Sequence, residues 1–331
     1  MPSAARILWL AGRLASTLLL AGPQALAARP DTDPARLLEA VVRVEAEIHA
    51  EARTASFLGT KRDGSGVVID DAGLIVTIGY LITEAMAAEV TTAAGKASRA
   101  EIIGFDTEYG LGLLRAVEPL EVKPMPIGTA ENLAEKTPVI VAGHGGAEAV
   151  QAAVVISRRT FAGYWEYLLE EAIFTAPPSP AWSGAALIAP DGKLAGIGSL
   201  IVGDADGGFP GNMFVPIDRL KPVMGDLIAL GRLSSARPWL GANLQDLDGH
   251  LVVRRVAPEG PAAAAGIRHG DGIVSIDGSE VRNLAEFYRA LWSRGVAGIT
   301  VELTVTRQGE QHEIAVKTID RYRYLKLGTT Y

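Results

Sequence analysis

From residue 42 to about residue 216 the chain is cut into short β-type runs separated by Asp-Gly, Gly-Gly and proline turn signals. The first run has a period of two. Val42, Val44, Ala46 and Ile48 alternate with Arg43, Glu45, Glu47 and His49, the pattern of a strand with one buried face. Further runs follow at residues 66–69, 74–77, 88–92, 111–114, 139–142, 154–157, 173–176, 186–188, 194–197 and 213–216. A succession of short strands without long helical patterns between them predicts a barrel or sandwich rather than a βαβ fold.

At 331 residues, 48% hydrophobic and 21% charged, the chain has the length and composition for two domains with buried cores. A net charge of −7 with no long block of Lys or Arg excludes a general nucleic-acid binder, whose affinity rests on clustered cations against phosphate. The chain has no cysteine, so its fold stands on packing without disulfides and it has no site for a lipid-modified Cys. Residues 1–27 read as an export signal: Arg6 and Arg13 supply positive charge, residues 14–21 are mainly apolar, and Ala25-Leu26-Ala27 offers a small-x-small cleavage site. The mature chain is then expected to begin near Ala28 and to be periplasmic or secreted. The alternative is an uncleaved anchor, against which stand Arg13 and an apolar stretch short of about 18 residues. No later stretch is apolar for long enough to span a bilayer as a helix. Asp33 and Pro34 then suit the N-cap and first position of a short helix running to Ala40.

One segment points to chemistry. Ser179-Pro180-Ala181-Trp182-Ser183-Gly184-Ala185-Ala186-Leu187 has the frame of a serine-protease nucleophile loop. A serine hydroxyl needs a base to take its proton, and that base needs a group to orient it. With Ser65-Gly66-Val67-Val68-Ile69-Asp70, Gly73-Leu74-Ile75-Val76-Thr77, Gly104-Phe105-Asp106, Leu113-Leu114-Arg115 and Asn212-Met213-Phe214-Val215-Pro216-Ile217, the loop forms an ordered set. That set resembles the HtrA/Deg family of chymotrypsin-like serine proteases. The resemblance implies a chymotrypsin-like double β-barrel over residues 55–220, preceded by a helix and first strand in residues 28–54. It also exposes departures. Where the family has Asn-x-His-Val, this chain has Ile78-Gly79-Tyr80-Leu81, so Tyr80 stands at the position of the general base. Where the family opens Asp-Leu-Ala-Val-Leu-Lys, this chain has Gly110-Leu111-Gly112-Leu113-Leu114-Arg115, so Gly110 stands at the position of the orienting carboxylate. Family Gly-Asn-Ser-Gly-Gly becomes Ala181-Trp182-Ser183-Gly184-Ala185, with Ala181 where a glycine N–H serves the oxyanion hole.

Among the five histidines, His144 in Ala142-Gly143-His144-Gly145-Gly146 is the candidate replacement base, because the resemblance sets this turn near the oxyanion side of the nucleophile. The plainer reading is a solvated turn histidine. No metal or cofactor is expected: there is no His-Glu-x-x-His, no cysteine set and no Gly-Lys-Ser/Thr loop. Gly203-Asp204-Ala205-Asp206-Gly207-Gly208 lacks the length and final Glu of a calcium loop and reads as an acidic surface loop.

Residues 221–236 read as a connecting helix and linker, the helical pattern beginning at Ile217 and stopping at Gly231. Then come Trp239-Leu240-Gly241-Ala242, an Asp248-Gly249 turn, a strand at 252–256, Gly260 to Asp271 with its Gly-Ile-Arg-His-Gly-Asp turn, a strand at 273–276 and an Asp277-Gly278 turn. This order resembles a bacterial PDZ domain over residues 237–320, leaving a tail at 321–331. PDZ modules bind an extended peptide by strand addition and capture its terminal carboxylate with backbone N–H groups. The resemblance assigns those groups to Trp239, Leu240, Gly241 and Ala242. The other wall of the groove would be a helix capped by Asn283, on which Leu284, Tyr288 and Leu291 share a face while Phe287 and Trp292 enter the core. In the alternative all five are core.

The expected fold is mainly β: a chymotrypsin-like double β-barrel followed by a small α/β PDZ domain. The expected function is that of a secreted protease-like protein with an incomplete triad. It would bind polypeptide C-termini or unfolded envelope proteins as a scaffold, chaperone or regulator of envelope protein quality control. The alternative is an HtrA-type endopeptidase using Ser183 with a rearranged base. A third reading makes the old cleft an apolar pocket around Tyr80 and Trp182, with Tyr164, Trp165 and Tyr167 as walls. HtrA-type proteases commonly form trimers; here a homo-oligomer is left open, with Phe57 the main aromatic before position 80.

Overall fold

The computed structural model describes residues 34–327, so the expected signal segment and its cleavage site lie outside the described residues. A short helix α1 (Pro34–Glu39) leads into two closed barrels. The first contains β1 (Val41–Ile48), β2 (Lys61–Val68), β3 (Leu74–Ile78), β4 (Ala85–Thr91), β5 (Ala97–Phe105) and β6 (Leu111–Ala116), in the order β1-β2-β3-β6-β5-β4. Its alternation is the one visible in the sequence: Val42, Val44, Ala46 and Ile48 are buried, while Arg43 and Glu47 face out. Closure leaves no edge strand unpaired.

The second barrel contains β7 (Pro138–Ala142), β8 (Val150–Gly163), β9 (Tyr167–Ala176), β10 (Ala186–Ile188), β11 (Leu194–Asp206) and β12 (Phe209–Pro216), ordered β10-β11-β12-β9-β8-β7. Val139, Val141, Val155, Ile173, Leu187 and Phe214 form its core. The double barrel predicted from the motifs is therefore present. Several strands run well beyond their sequence signals, however. The run expected at 154–157 is a strand of 14 residues, and with β9 it makes a long hairpin whose tip is Tyr164-Trp165-Glu166. The acidic segment at 203–208 is the tip of the β11–β12 hairpin.

A four-residue helix α2 (Ala55–Leu58) precedes β2, and α3 (Leu220–Leu230) follows the second barrel. Leu220, Val223 and Leu227 bury one face of α3, and Gly231, at φ +71, ends it by donating its N–H to Leu227 O. The C-terminal domain has the sheet β13 (Ala242–Leu247), β14 (His250–Val256), β15 (Gly272–Ile276), β17 (Thr300–Arg307) and β18 (Glu310–Lys317), with the two-residue β16 (Ser279–Glu280) paired to β15. Two helices, α4 (Pro261–Ala264) and α5 (Leu284–Ser293), complete it. Asn283 caps α5 as its sequence predicts, accepting from Glu286 N–H while Glu286 accepts from the Asn283 amide. After β18 the chain returns to the first barrel: Tyr322 and Leu325 join its core, and the Tyr322 hydroxyl donates to Phe105 O.

Candidate functional site

The Ser183 loop is clamped between the two barrels. Ser65 N–H donates to Ser183 O at 2.8 Å, and Gly184 N–H to Gly198 O at 2.9 Å. Gly184 sits at φ +71, and a Cβ there would lie 2.0 Å from Ser65 O, so no other residue fits without moving β2. Before the serine, Asn212 is fully buried and grips Ser179 through both its N–H and its C=O. These contacts hold the nucleophile frame in place.

The structure brings Tyr80 to Ser183. Tyr80 Oη donates within 2.9 Å of Ser183 Oγ and 3.0 Å of Ser199 O, one phenolic proton serving two acceptors. Burial pushes the phenol above its ordinary pKa, only partly opposed by the bond to Ser183. It stays protonated at neutral pH and offers the serine no base. The Tyr80 main chain is fixed from behind by Arg62, which donates to Tyr80 O at 2.6 Å and Thr83 O at 2.8 Å; burial draws its pKa down to about 10, still charged at neutral pH. Glu84 completes this buried set by accepting from Thr54 N–H and Oγ1. Trp182 lies against the phenol, ring centroids 6.4 Å apart.

His144 does not reach Ser183. Its Nδ1 is 3.1 Å from Ser65 Oγ, its backbone N–H also donates to that oxygen at 3.0 Å, and its Nε2 faces Asp63 at 3.7 Å. The imidazole thus serves the neighbour of the clamp rather than the nucleophile. Ala181 packs on Gly143, and its N–H donates to Ser179 Oγ at 3.3 Å, inside its own loop. Gly110 sits beside β3, where its C=O accepts from Gly79 N–H at 2.7 Å. At φ +80 it would set an added Cβ 3.5 Å from the Tyr167 ring. Asp106, four residues before Gly110, is committed elsewhere. Its buried carboxylate accepts the N–H groups of Glu108, Tyr109, Gly110 and Leu111 and so shapes the turn that carries Gly110.

The C-terminal domain holds the second set of expected residues. Gly241, at φ +77, lets successive N–H groups converge into an anion-binding concavity. A carboxylate occupies it. Glu166 Oε1 accepts from Gly241 N–H at 2.6 Å and Ala242 N–H at 3.0 Å, and Oε2 accepts from Leu240 N–H at 2.9 Å. Glu166 is 5% exposed, and burial raises its pKa to about 7 against the pull of those N–H groups and of Arg321. Trp239 contributes no donor here; its N–H pairs with Ile319 O and its ring packs on Tyr324. The helix wall differs from its expectation as an open face. Tyr288 and Leu291 are fully buried with Phe287, Leu284 is partly buried, and the Tyr288 hydroxyl donates to Gly163 O at 2.8 Å while accepting from Glu166 N–H. The cause is the β8–β9 hairpin, which covers that face. Leu168 of the hairpin belongs to the C-terminal domain's own core, and Leu244 N–H donates to Tyr164 O at 3.1 Å. The aromatic walls expected for a third pocket, Tyr164, Trp165 and Tyr167, pack on one another in this hairpin. Glu166 escaped the sequence reading, although an acid amid Phe161, Tyr164, Trp165 and Tyr167 signals a buried charge in need of donors.

Comparison with known proteins agrees with this architecture. The model of a trypsin-like peptidase domain matches residues 64–197, and that of a PDZ domain matches residues 238–318. The chain is 28% identical over 291 residues to a serine protease Do-like HtrA of Lactobacillus helveticus, covering 78% of this chain and 69% of the relative. It is 30% identical over 271 residues to a probable periplasmic serine endoprotease DegP-like of Chlamydia muridarum, covering 76% of this chain but only 53% of the relative. The chain thus spans roughly half to two-thirds of such relatives. Among solved structures, the HtrA-type protease AlgW with a decapeptide superposes with a TM-score of 0.53 at 21% identity, covering 86% of this chain and 97% of that one. The serine endoprotease from Yersinia pestis gives 0.51 at 24% identity, covering 86% and 95%. With a trypsin-like double barrel, a PDZ domain behind it and similarity over three-quarters of its length, the chain is similar to members of the HtrA family.

Proposed function

We propose that this is a catalytically silent, periplasmic or secreted HtrA-type protein that recognises polypeptides through its PDZ domain, as a scaffold, chaperone or regulator of envelope protein quality control. The observation that carries the silent reading is the Tyr80 hydroxyl on Ser183: a protonated phenol fills the place of the base, and Gly110 supplies no carboxylate behind it. The Ala181 N–H, turned to Ser179 Oγ, leaves the oxyanion side weakened as well. Several relatives are named as periplasmic endoproteases, and AlgW is described with bound peptides, which supports the compartment and the ligand class.

The purified protein and Ser183→Ala are expected to leave casein equally intact, and a fluorophosphonate probe is expected to leave Ser183 unlabelled. Cleavage by the wild type that Ser183→Ala abolishes would overturn the silent reading. It would favour the alternative, an endopeptidase with a rearranged base, for which His144 beside Ser65 is the group to test by His144→Ala.

A further inference from the structure

We infer that Glu166 is an internal ligand of the PDZ domain: the tip of the β8–β9 hairpin occupies the carboxylate cradle of Leu240, Gly241 and Ala242, and a polypeptide C-terminus must displace it to bind. The inference rests on the peptide-recognition reading above. Three features carry it. Both oxygens of one carboxylate are taken by three successive backbone N–H groups, at 2.6 to 3.0 Å, a geometry that suits a chain terminus equally well. Beside the carboxylate, the hairpin tip meets β13 through one backbone bond, with Tyr164 O accepting from Leu244 N–H. Its flank is fixed by Tyr288 to Gly163 O and by Arg289 of α5, which pairs with Glu170 at 2.8 Å. These donors come from segments 74 to 125 residues away in sequence, so the contact joins two domains rather than shaping one loop.

Glu166 also adopts φ +59, the left-handed conformation that closes a three-residue hairpin tip. A docked hairpin lowers the apparent affinity for any outside carboxylate by the fraction of time the cradle stands open. Occupancy open about one-tenth of the time weakens binding about tenfold. Release of the hairpin would free Tyr164 O, Gly163 O and the buried Leu168 together, so the cradle opens as a unit with the hairpin tip.

The test uses the full chain as wild type, Glu166→Ala and Glu166→Gln, with a library of decapeptides randomised in the last three positions, each made as free acid and as C-terminal amide. Hydrogen exchange at the amides of residues 240–242 is expected to quicken at least tenfold in Glu166→Ala, and less in Glu166→Gln, with the barrel amides unchanged. Free-acid peptides are expected to bind Glu166→Ala at least tenfold more tightly than wild type, and amidated peptides to bind neither. Unchanged exchange, or equal peptide affinity in wild type and Glu166→Ala, would overturn the internal ligand. Quickened exchange with no free-acid peptide bound by any variant would instead overturn the peptide-recognition reading and the competition built on it.

Discussion

At the scale of single residues, the proposed silence of Ser183 turns on what meets its Oγ. A phenol and an imidazole both hydrogen-bond a serine hydroxyl, but only the imidazole accepts its proton at neutral pH. Tyr80→His is therefore expected to give slow fluorophosphonate labelling of Ser183 where the wild type gives none. Losing the orienting carboxylate of a working triad costs about 10⁴ in rate, so Tyr80→His combined with Gly110→Asp is expected to label faster than Tyr80→His alone. An aspartate tolerates the left-handed backbone at position 110 better than most residues do, and the Tyr167 ring leaves its Cβ an ordinary contact. Labelling of Tyr80→Phe as fast as Tyr80→His would show that loss of the hydroxyl, not gain of a base, exposes the serine. The meeting of Tyr80 with Ser183 was legible because the order of the motifs decides which residues the two barrels bring together. His144 was not legible in the same way. Its proximity to the nucleophile loop followed from the resemblance, but its partner, Ser65 in place of Ser183, depends on how β2 and the Gly143–Gly146 turn meet, which no local pattern encodes.

At the scale of elements, most barrel strands were read, but β5, β17 and β18 were missed, and strand length was misjudged. Period-two alternation identifies β1 because Val42, Val44 and Ala46 face a core while Arg43 and Glu47 face water. It fails along the outer half of β8, where Thr160 and Ala162 lean on the C-terminal domain while Phe161 packs on the barrel core, and mixed burial replaces alternation. The turn at residues 106–111 shows a second kind of hidden determinant. Asp106 enters the sequence reading only as the end of Gly104-Phe105-Asp106, yet its buried carboxylate gathers four N–H groups and sets the backbone of Gly110. Burial raises its pKa while those N–H groups oppose the rise. Asp106→Asn keeps one carbonyl acceptor and turns an amide N–H toward donors, leaving buried N–H groups unpaired at roughly 1–3 kcal/mol. Urea denaturation is expected to show a midpoint lowered accordingly without a change in slope. A variant as stable as wild type would mean that the turn is held by its backbone alone.

At the scale of the whole molecule, the double barrel and the PDZ domain are joined through a buried titrating group, which makes their docking sensitive to pH. Glu166 has a pKa of about 7 when docked, against about 4.3 for a free glutamate side chain, so docking takes up a proton between those values. A carboxyl whose bound-state pKa is raised contributes fully below its free pKa and loses that contribution as pH rises through the bound one. Docking is therefore tightest near pH 4.5, weakens by up to about 1.4 kcal/mol per pH unit on the way to pH 7, and is flat above it. Two other ionisable groups act on this carboxyl: Arg321, from the turn at Arg321–Arg323, lowers its pKa and is itself drawn down by burial, and the Tyr288 phenol of α5, pushed up by burial, stays neutral. Farther along the hairpin, the Glu170–Arg289 pair carries opposite charges, and its carboxylate lies below the ordinary range, so it adds no step between pH 5 and pH 7. Protection factors at residues 240–242, corrected for intrinsic exchange, are expected to fall between pH 5 and pH 7 in the wild type and to level off by pH 8. In Glu166→Gln, which cannot titrate there, the same factors should stay constant across the range. A parallel fall in both proteins would assign the dependence to a group other than Glu166, and constancy in both would mean that the three N–H donors keep Glu166 ionised while docked. Coupling of this size would tie access to the groove to the acidity of the compartment, with neutral pH favouring exchange of the internal carboxylate for an external one.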